Sequence, residues 1–155
     1  MLELQRTLVL VKPDAMQRGL AGEIISRLER RGLRIVGMKL IAVPRALAEE
    51  HYAEHKGKGF YSGLVEYICS SPILAAVFEG PSAVKAVRQT VGKTNPVEAV
   101  PGTIRADLGL MTGRNLIHAS DEEPGSAPRE VALWFRPEEL AGWSRELDRW
   151  YFEDD

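Results

Sequence analysis

Thr7-Leu8-Val9-Leu10-Val11-Lys12-Pro13 opens the stretch, residues 7–43, that decides the fold. Five apolar or β-branched residues run together here and Pro13 ends them, which reads as a buried strand. Leu20, Ile24, Ile25 and Leu28 then recur at helical spacing, with Gly32 as the stop. Ile35 to Val43 forms a second strand closed by Pro44. A strand, a helix and a strand within this stretch make one βαβ unit.

Further along, helical segments are expected at about Ala46–His55 and Leu64–Cys69, separated by Gly57-Lys58-Gly59. A third strand covers Ile73–Phe78. Pro81-Ser82 opens a helix with Val84, Val87 and Val91 on one face, stopped by Gly92. Periodicity fails from Lys93 to Arg114, where Pro96, Pro101, Gly102, Gly109 and Gly113 punctuate a long loop. Asn115–Ser120 is a fourth strand, with Leu116, His118 and Ser120 on one face and Asn115, Ile117 and Ala119 on the other. A helix over Ala127–Phe135, N-capped by Ser126, precedes a last helical stripe of Leu140, Trp143 and Leu147. The expected architecture is α+β. It is a ferredoxin-like βαββαβ sandwich, a four-stranded antiparallel sheet with helices packed on it, plus a long loop and a C-terminal helical extension.

The 155 residues fit one domain, 1–155, and are 45% apolar and 27% charged, which excludes a disordered chain. Lys plus Arg total 20 against 22 for Asp plus Glu, so nothing advertises a nucleic-acid partner. One cysteine, Cys69, cannot form an internal disulfide. Neither a membrane span nor a signal peptide is read from the sequence, and a cytoplasmic enzyme is the expectation.

Two motifs tempt and fail. His51-Tyr52-Ala53-Glu54-His55 fits the H-x-x-E-H zinc pattern, but no third ligand is placed and the string is short. Gly92-Lys93-Thr94 resembles a P-loop end, yet Val87 stands where the first glycine belongs and the triplet closes a helix instead of opening one. Asn115-Leu-Ile-His118-Ala-Ser-Asp121 is more informative, because it gives a histidine the polar company a nucleophile needs. Composition and spacing alone lead no further than an anion-handling enzyme.

That string, with Val11-Lys-Pro-Asp-Ala15, resembles the nucleoside diphosphate kinase family. Matching segments run along nearly the whole chain: Gln17-Arg-Gly-Leu20, Gly22-Glu-Ile24, Glu50-His-Tyr52, Thr94-Asn-Pro96, Pro101-Gly-Thr-Ile-Arg105 and Leu133-Trp-Phe135. The resemblance implies transfer of the γ-phosphoryl of a nucleoside triphosphate to a nucleoside diphosphate, ping-pong, through a phosphohistidine. It makes His118 the nucleophile, oriented by Glu130 and Ser120, with Tyr52 beside it. The match to Glu130 requires one extra residue between Asp121 and Arg129. Arg88, Arg105 and Thr94 match phosphate contacts, Lys12 a contact to ribose and phosphoryl, and Asn115 a ribose contact. Phe60 matches the aromatic on which the base rests, opposite Thr112, and implies broad base tolerance. Mg²⁺ would arrive on the nucleotide phosphates, with no protein metal ligands.

The chain departs from the family pattern at Ala15, Ala119, Thr112, Gly59, Ala106 and Leu108, of which Ala15 and Ala119 place methyl groups where glycine is usual beside the phosphates. The resemblance also implies self-association, as a homohexamer in preference to a tetramer, through the 93–114 loop and the Trp150-Tyr-Phe-Glu153 tail. The competing reading is a catalytically silent relative kept as a nucleotide-binding or scaffold module.

Overall fold

The computed structural model describes residues 2–153. Four strands, β1 (Gln5–Val11), β2 (Arg34–Ile41), β3 (Ile73–Gly80) and β4 (Ile117–Ala119), form one sheet in the order β2-β3-β1-β4. Each neighbouring pair is antiparallel. The helices are α1 (Pro13–Gln17), α2 (Ala21–Arg30), α3 (Arg45–His51), α4 (Tyr61–Ile68), α5 (Ala83–Val91), α6 (Ile104–Leu108) and α7 (Ser126–Trp134). This is the expected ferredoxin-like sandwich.

Helices cover both faces of the sheet, which is why β1 lacks a polar alternation. Val9 and Val11 point with Phe78, Ile117 and Ala119 into a core shared with Ile24, Leu28 and Val87 of α2 and α5. Leu8 and Leu10 point the other way, with Val77, onto Ala48, Val65, Val131 and Trp134 of α3, α4 and α7. Leu8 through Val11 are fully buried, so each side chain there is worth a few kcal/mol to the fold, about 2–5 for a leucine cut to alanine.

Several local expectations need correcting. The 93–114 segment is not wholly irregular: α6 forms within it, capped by the Thr103 hydroxyl, which accepts from the Ala106 N–H. Gly92 closes α5 at φ +93, and a Cβ there would fall 2.8 Å from Thr103 Cβ, so only glycine lets α5 meet this segment. The helix expected over Ala46–His55 ends at His51, followed by a 3-10 turn at Ala53–His55. Ser126 is the first residue of α7, and Gly125 at φ +84 is its N-cap. No α-helix forms after α7 among the described residues. Leu140, Trp143 and Leu147 lie in an extended strap with 3-10 turns at Pro137–Glu139 and Asp148–Trp150. The strap runs along the free edge of β2, where Ala141 N–H donates to Val36 O and the Trp143 indole N–H to Ile35 O. Covering a sheet edge satisfies backbone groups that an amphipathic helix would leave open. Arg34 then anchors it by bonding Asp148.

Candidate active site

Strand β4 is short because its approach is bent. Leu116 has φ +75 and joins Ile117 and Ala119 in the α2–α5 core, so the expected alternation breaks at that residue. Beyond it the alternation holds. His118 pairs with Leu10 and faces the α3–α7 layer. There the His118 Nε2–H donates to Glu130 Oε1 at 2.9 Å, and the Ser120 hydroxyl donates to the same oxygen at 2.6 Å. Ser120 Oγ in turn accepts from Leu8 N–H at 3.3 Å. Burial would raise the Glu130 pKa, but the bonds from His118 and Ser120 outweigh it and hold the carboxyl at about 2. An ionised carboxylate can only accept, so the proton sits on Nε2 and His118 Nδ1 keeps its lone pair.

His51, at the end of α3, is given no role at the site by the sequence alone. Its ring stands edge-on to His118, centroids 4.6 Å apart, and touches Tyr52 at 4.8 Å. The Trp134 indole N–H donates to His51 Nδ1 at 3.1 Å. Burial, helped by the neighbouring His118 charge, drives the His51 pKa down to about 3, so this imidazole is neutral at any physiological pH. Tyr52 packs on His51, which packs on His118, and burial raises its phenol to about 12. His51, His118 and Glu130 offer ligand atoms within 4.8 Å of one another. The hydrogen bonds from Trp134 and to Glu130 nevertheless fix both imidazole protons on Nε2, which opposes joint metal ligation. His55 points elsewhere, toward Lys58 and Phe60, so the zinc pattern does not assemble.

The cationic wall is built on the same turn. Lys12 Nζ donates to Asn115 Oδ1 at 2.9 Å, and Asn115 Nδ2 to Thr94 O at 2.9 Å. Burial and the nearby Arg105 charge lower the Lys12 pKa to about 8. Arg105 is buried beneath the site, with Nε on Asn115 O, one terminal nitrogen on Gly92 O and the other on Ile117 O. Two of its five N–H donors remain. Arg88 reaches Ala119 O at 3.2 Å. A cavity of about 480 Å³ runs from Lys12 past Tyr52 and Phe60 to Thr112 and Arg114. Phe60 is half exposed at its mouth, as a stacking surface must be. The structure therefore brings His118, Glu130 and Ser120 into one cluster, and Lys12, Asn115, Arg105 and the Thr94 carbonyl into another. Ala15 and Ala119 are both buried in the α2–α5 core.

Three cations around a histidine with a free ring nitrogen, beside an aromatic-walled cleft, suit phosphoryl transfer from a nucleotide. The nucleoside diphosphate kinase family model matches residues 5–140. The nucleoside diphosphate kinase of Chloroflexus aurantiacus is 57% identical over 152 residues, covering 97% of this chain and 100% of that one. That of Archaeoglobus fulgidus is 54% identical over 151 residues, covering 97% and 99%. Among solved structures, a nucleoside diphosphate kinase from Halobacterium salinarum in complex with CDP superposes with a TM-score of 0.95 at 49% identity, covering 97% of this chain and 100% of that chain. The chain belongs to the nucleoside diphosphate kinase family, enzymes that pass a phosphoryl group from a nucleoside triphosphate to a nucleoside diphosphate.

Proposed function

We propose that the γ-phosphoryl passes through His118 Nδ1 in two steps. The Nδ1 lone pair attacks the γ-phosphorus, the Nδ1–P bond forms, and the bond from phosphorus to the β,γ-bridging oxygen breaks with its electrons, releasing the diphosphate. An acceptor diphosphate then attacks the same phosphorus and returns the electron pair to Nδ1. The observation that carries this is the 2.9 Å bond from His118 Nε2–H to Glu130, which leaves Nδ1 unprotonated and steadies the imidazolium character that grows on phosphorylation. Lys12, Arg88, Arg105 and Thr94 bind the phosphates, and Asn115 and Lys12 hold the ribose. Mg²⁺ arrives on the phosphates, since Glu130 is committed to His118 and Ser120. Mixing the protein with ATP and, in turn, GDP, CDP and UDP should yield each new triphosphate. Failure with every acceptor would sink the assignment and leave the silent binding module.

The base rests on Phe60. Stacking reads no base edge, and the Halobacterium relative holds a pyrimidine nucleotide, so purines and pyrimidines are both accepted. Phe60→Ala is expected to raise KM for the diphosphate about tenfold with a smaller effect on kcat. Steady-state kinetics across several bases checks this, and a loss confined to one base would contradict it.

The domain, 1–155, assembles as a homohexamer, with a tetramer as the lesser alternative, and works in the cytoplasm. Val97, Val100, Leu110 and Met111 are each more than 60% exposed in the 93–114 segment, an apolar patch a monomer has little reason to keep. No described helix is long and apolar enough to cross a membrane. Sedimentation at micromolar concentration should show an oligomer, and a monomer would refute this.

A further inference from the structure

Behind the reactive histidine lies a backbone feature that the reaction as described does not use. Leu116 has φ +75, and Ile117 N–H bonds back to Asn115 O at 2.8 Å, which together define a γ-turn of the strained, positive-φ kind. This turn joins Asn115 to β4 and its His118. Leu116 is fully buried, so its own N–H cannot turn to water. Instead it donates to Asp14 Oδ2 at 3.0 Å, while Leu116 O accepts from Lys12 N–H at 2.9 Å. The other carboxylate oxygen of Asp14 takes the Tyr67 hydroxyl at 2.6 Å, and Asp14 N–H donates back to Tyr67 Oη at 3.1 Å. The Arg114 guanidinium lies over the Tyr67 ring at 4.4 Å, and both line the nucleotide cavity. A strained turn persists only when its surroundings over-determine it. Here residues 12–14 hold both polar groups of its central residue.

We propose that Asp14 is a positioning residue for phosphoryl transfer: its carboxylate clamps the γ-turn at Leu116 and thereby sets the aim of Asn115 and His118. The proposal rests on the reading of His118 as the phosphoryl carrier. Asp14 touches neither the reacting atoms nor the groups that bind phosphate. It ties the end of β1, which carries Lys12, to the start of β4, which carries His118, so one carboxylate fixes the spacing between cation and nucleophile. Tyr67 fixes the carboxylate in turn and links it to the wall on which the nucleotide rests. Relaxing the turn swings the Asn115 carboxamide off Lys12 and tilts His118, and small misplacements of reacting groups cost large factors in rate.

Three variants test it: Asp14→Ala, Asp14→Ser and Asp14→Asn. The serine hydroxyl is too short to span Tyr67 and Leu116, whereas the asparagine carboxamide can accept from Leu116 N–H and donate to Tyr67 Oη. Asp14→Ala and Asp14→Ser should lose kcat on the order of 100-fold, with KM for ADP shifted by less than about threefold, because Phe60 and Arg88 lie outside the turn. Asp14→Asn should recover kcat to within about fivefold of wild type. Amide hydrogen exchange in nucleotide-free protein supplies a readout independent of activity. Leu116 N–H should exchange much faster in the alanine variant, while Leu28 N–H, inside α2, stays protected. Unchanged Leu116 exchange, unchanged kcat, or exchange accelerated equally at Leu28 would each overturn the proposal. If one loss variant fails to fold, the other carries the same comparison with Asp14→Asn. Wild-type protein that takes no phosphoryl label from ATP would defeat the phosphohistidine reading instead, and the exchange result would stand apart from it.

Discussion

His118→Asn is expected to abolish phosphoryl exchange and self-labelling together, a loss of at least about 10⁴-fold, while nucleotide binding persists. Asparagine preserves a polar side chain, and Glu130 keeps the Ser120 hydroxyl as a donor. What disappears is the Nδ1 lone pair. Lys12, Phe60, Arg88 and Arg105 are untouched, so ADP affinity should change by no more than about threefold. Wild-type protein given labelled ATP and Mg²⁺ without acceptor should retain one label per subunit. The label should be lost in acid and survive base, as a phosphoramidate does. A phosphoserine on Ser120 would behave in the opposite way, and Ser120 is fully buried beneath Glu130. Labelling or exchange undiminished in His118→Asn would remove His118 from the reaction.

Glu130 separates two functions that this one substitution leaves joined. In Glu130→Gln the carboxamide can accept from the His118 Nε2–H as the carboxylate does, but it carries no charge to steady the phosphoimidazolium. Label should still form there, more slowly, whereas His118→Asn forms none. The difference between the two variants assigns nucleophile and orienting group to separate side chains.

Much of this arrangement was legible in the sequence because it depends on patterns with one physical reading. The Thr7–Val11 run is apolar throughout because helices cover both faces of β1, and its end at Pro13 marks where Lys12 emerges toward the site. His118 and Ser120 fall two apart on a strand and so meet the same carboxylate. Other parts had no local signal. Nothing about a leucine announces φ +75 at residue 116, since that conformation is imposed by Asp14 and Lys12, about a hundred residues earlier. Helix α6 is a single capped turn between glycines and prolines, too short to show a period. Leu140, Trp143 and Leu147 do keep helical spacing, but the open edge of β2 offered carbonyls that an extended strap could reach. Propensity yielded to an unpaired edge. His51 was obscured by its pairing with His55 in a familiar string, although the break of α3 at His51 sends the two rings apart.

The burial of His51 should make the fold sensitive to mild acid. In the unfolded chain this imidazole titrates near 6.5, whereas in the folded protein burial and the facing His118 charge hold it at about 3. The groups around it are His118 and Glu130 from β4 and α7, Lys12 just after β1, Arg129 from α7 and the Trp134 indole. Above pH 6.5 both states are neutral at this residue and its full contribution is present. Between 6.5 and 3 the unfolded chain binds a proton that the folded one refuses, so stability falls by up to about 1.4 kcal/mol per pH unit. The integrated loss is on the order of 4 kcal/mol by pH 3, a large part of a typical domain's stability. Glu130, held at about 2, adds a second loss that begins only below its ordinary range near 4.5. Acid sensitivity that starts above pH 5 therefore belongs to the histidine and not to the carboxylate. His51→Gln separates them, since its carbonyl oxygen can still accept from Trp134 N–H but does not titrate. Urea midpoints at one fixed protein concentration should fall steeply from pH 6.5 to 4.5 in wild type and much less in His51→Gln, with the wild type's advantage at pH 7.5 shrinking as acid is added. Equal slopes in the two proteins over that window would show that His51 is already free to take a proton in the folded state, and that the bond from Trp134 does not hold it neutral.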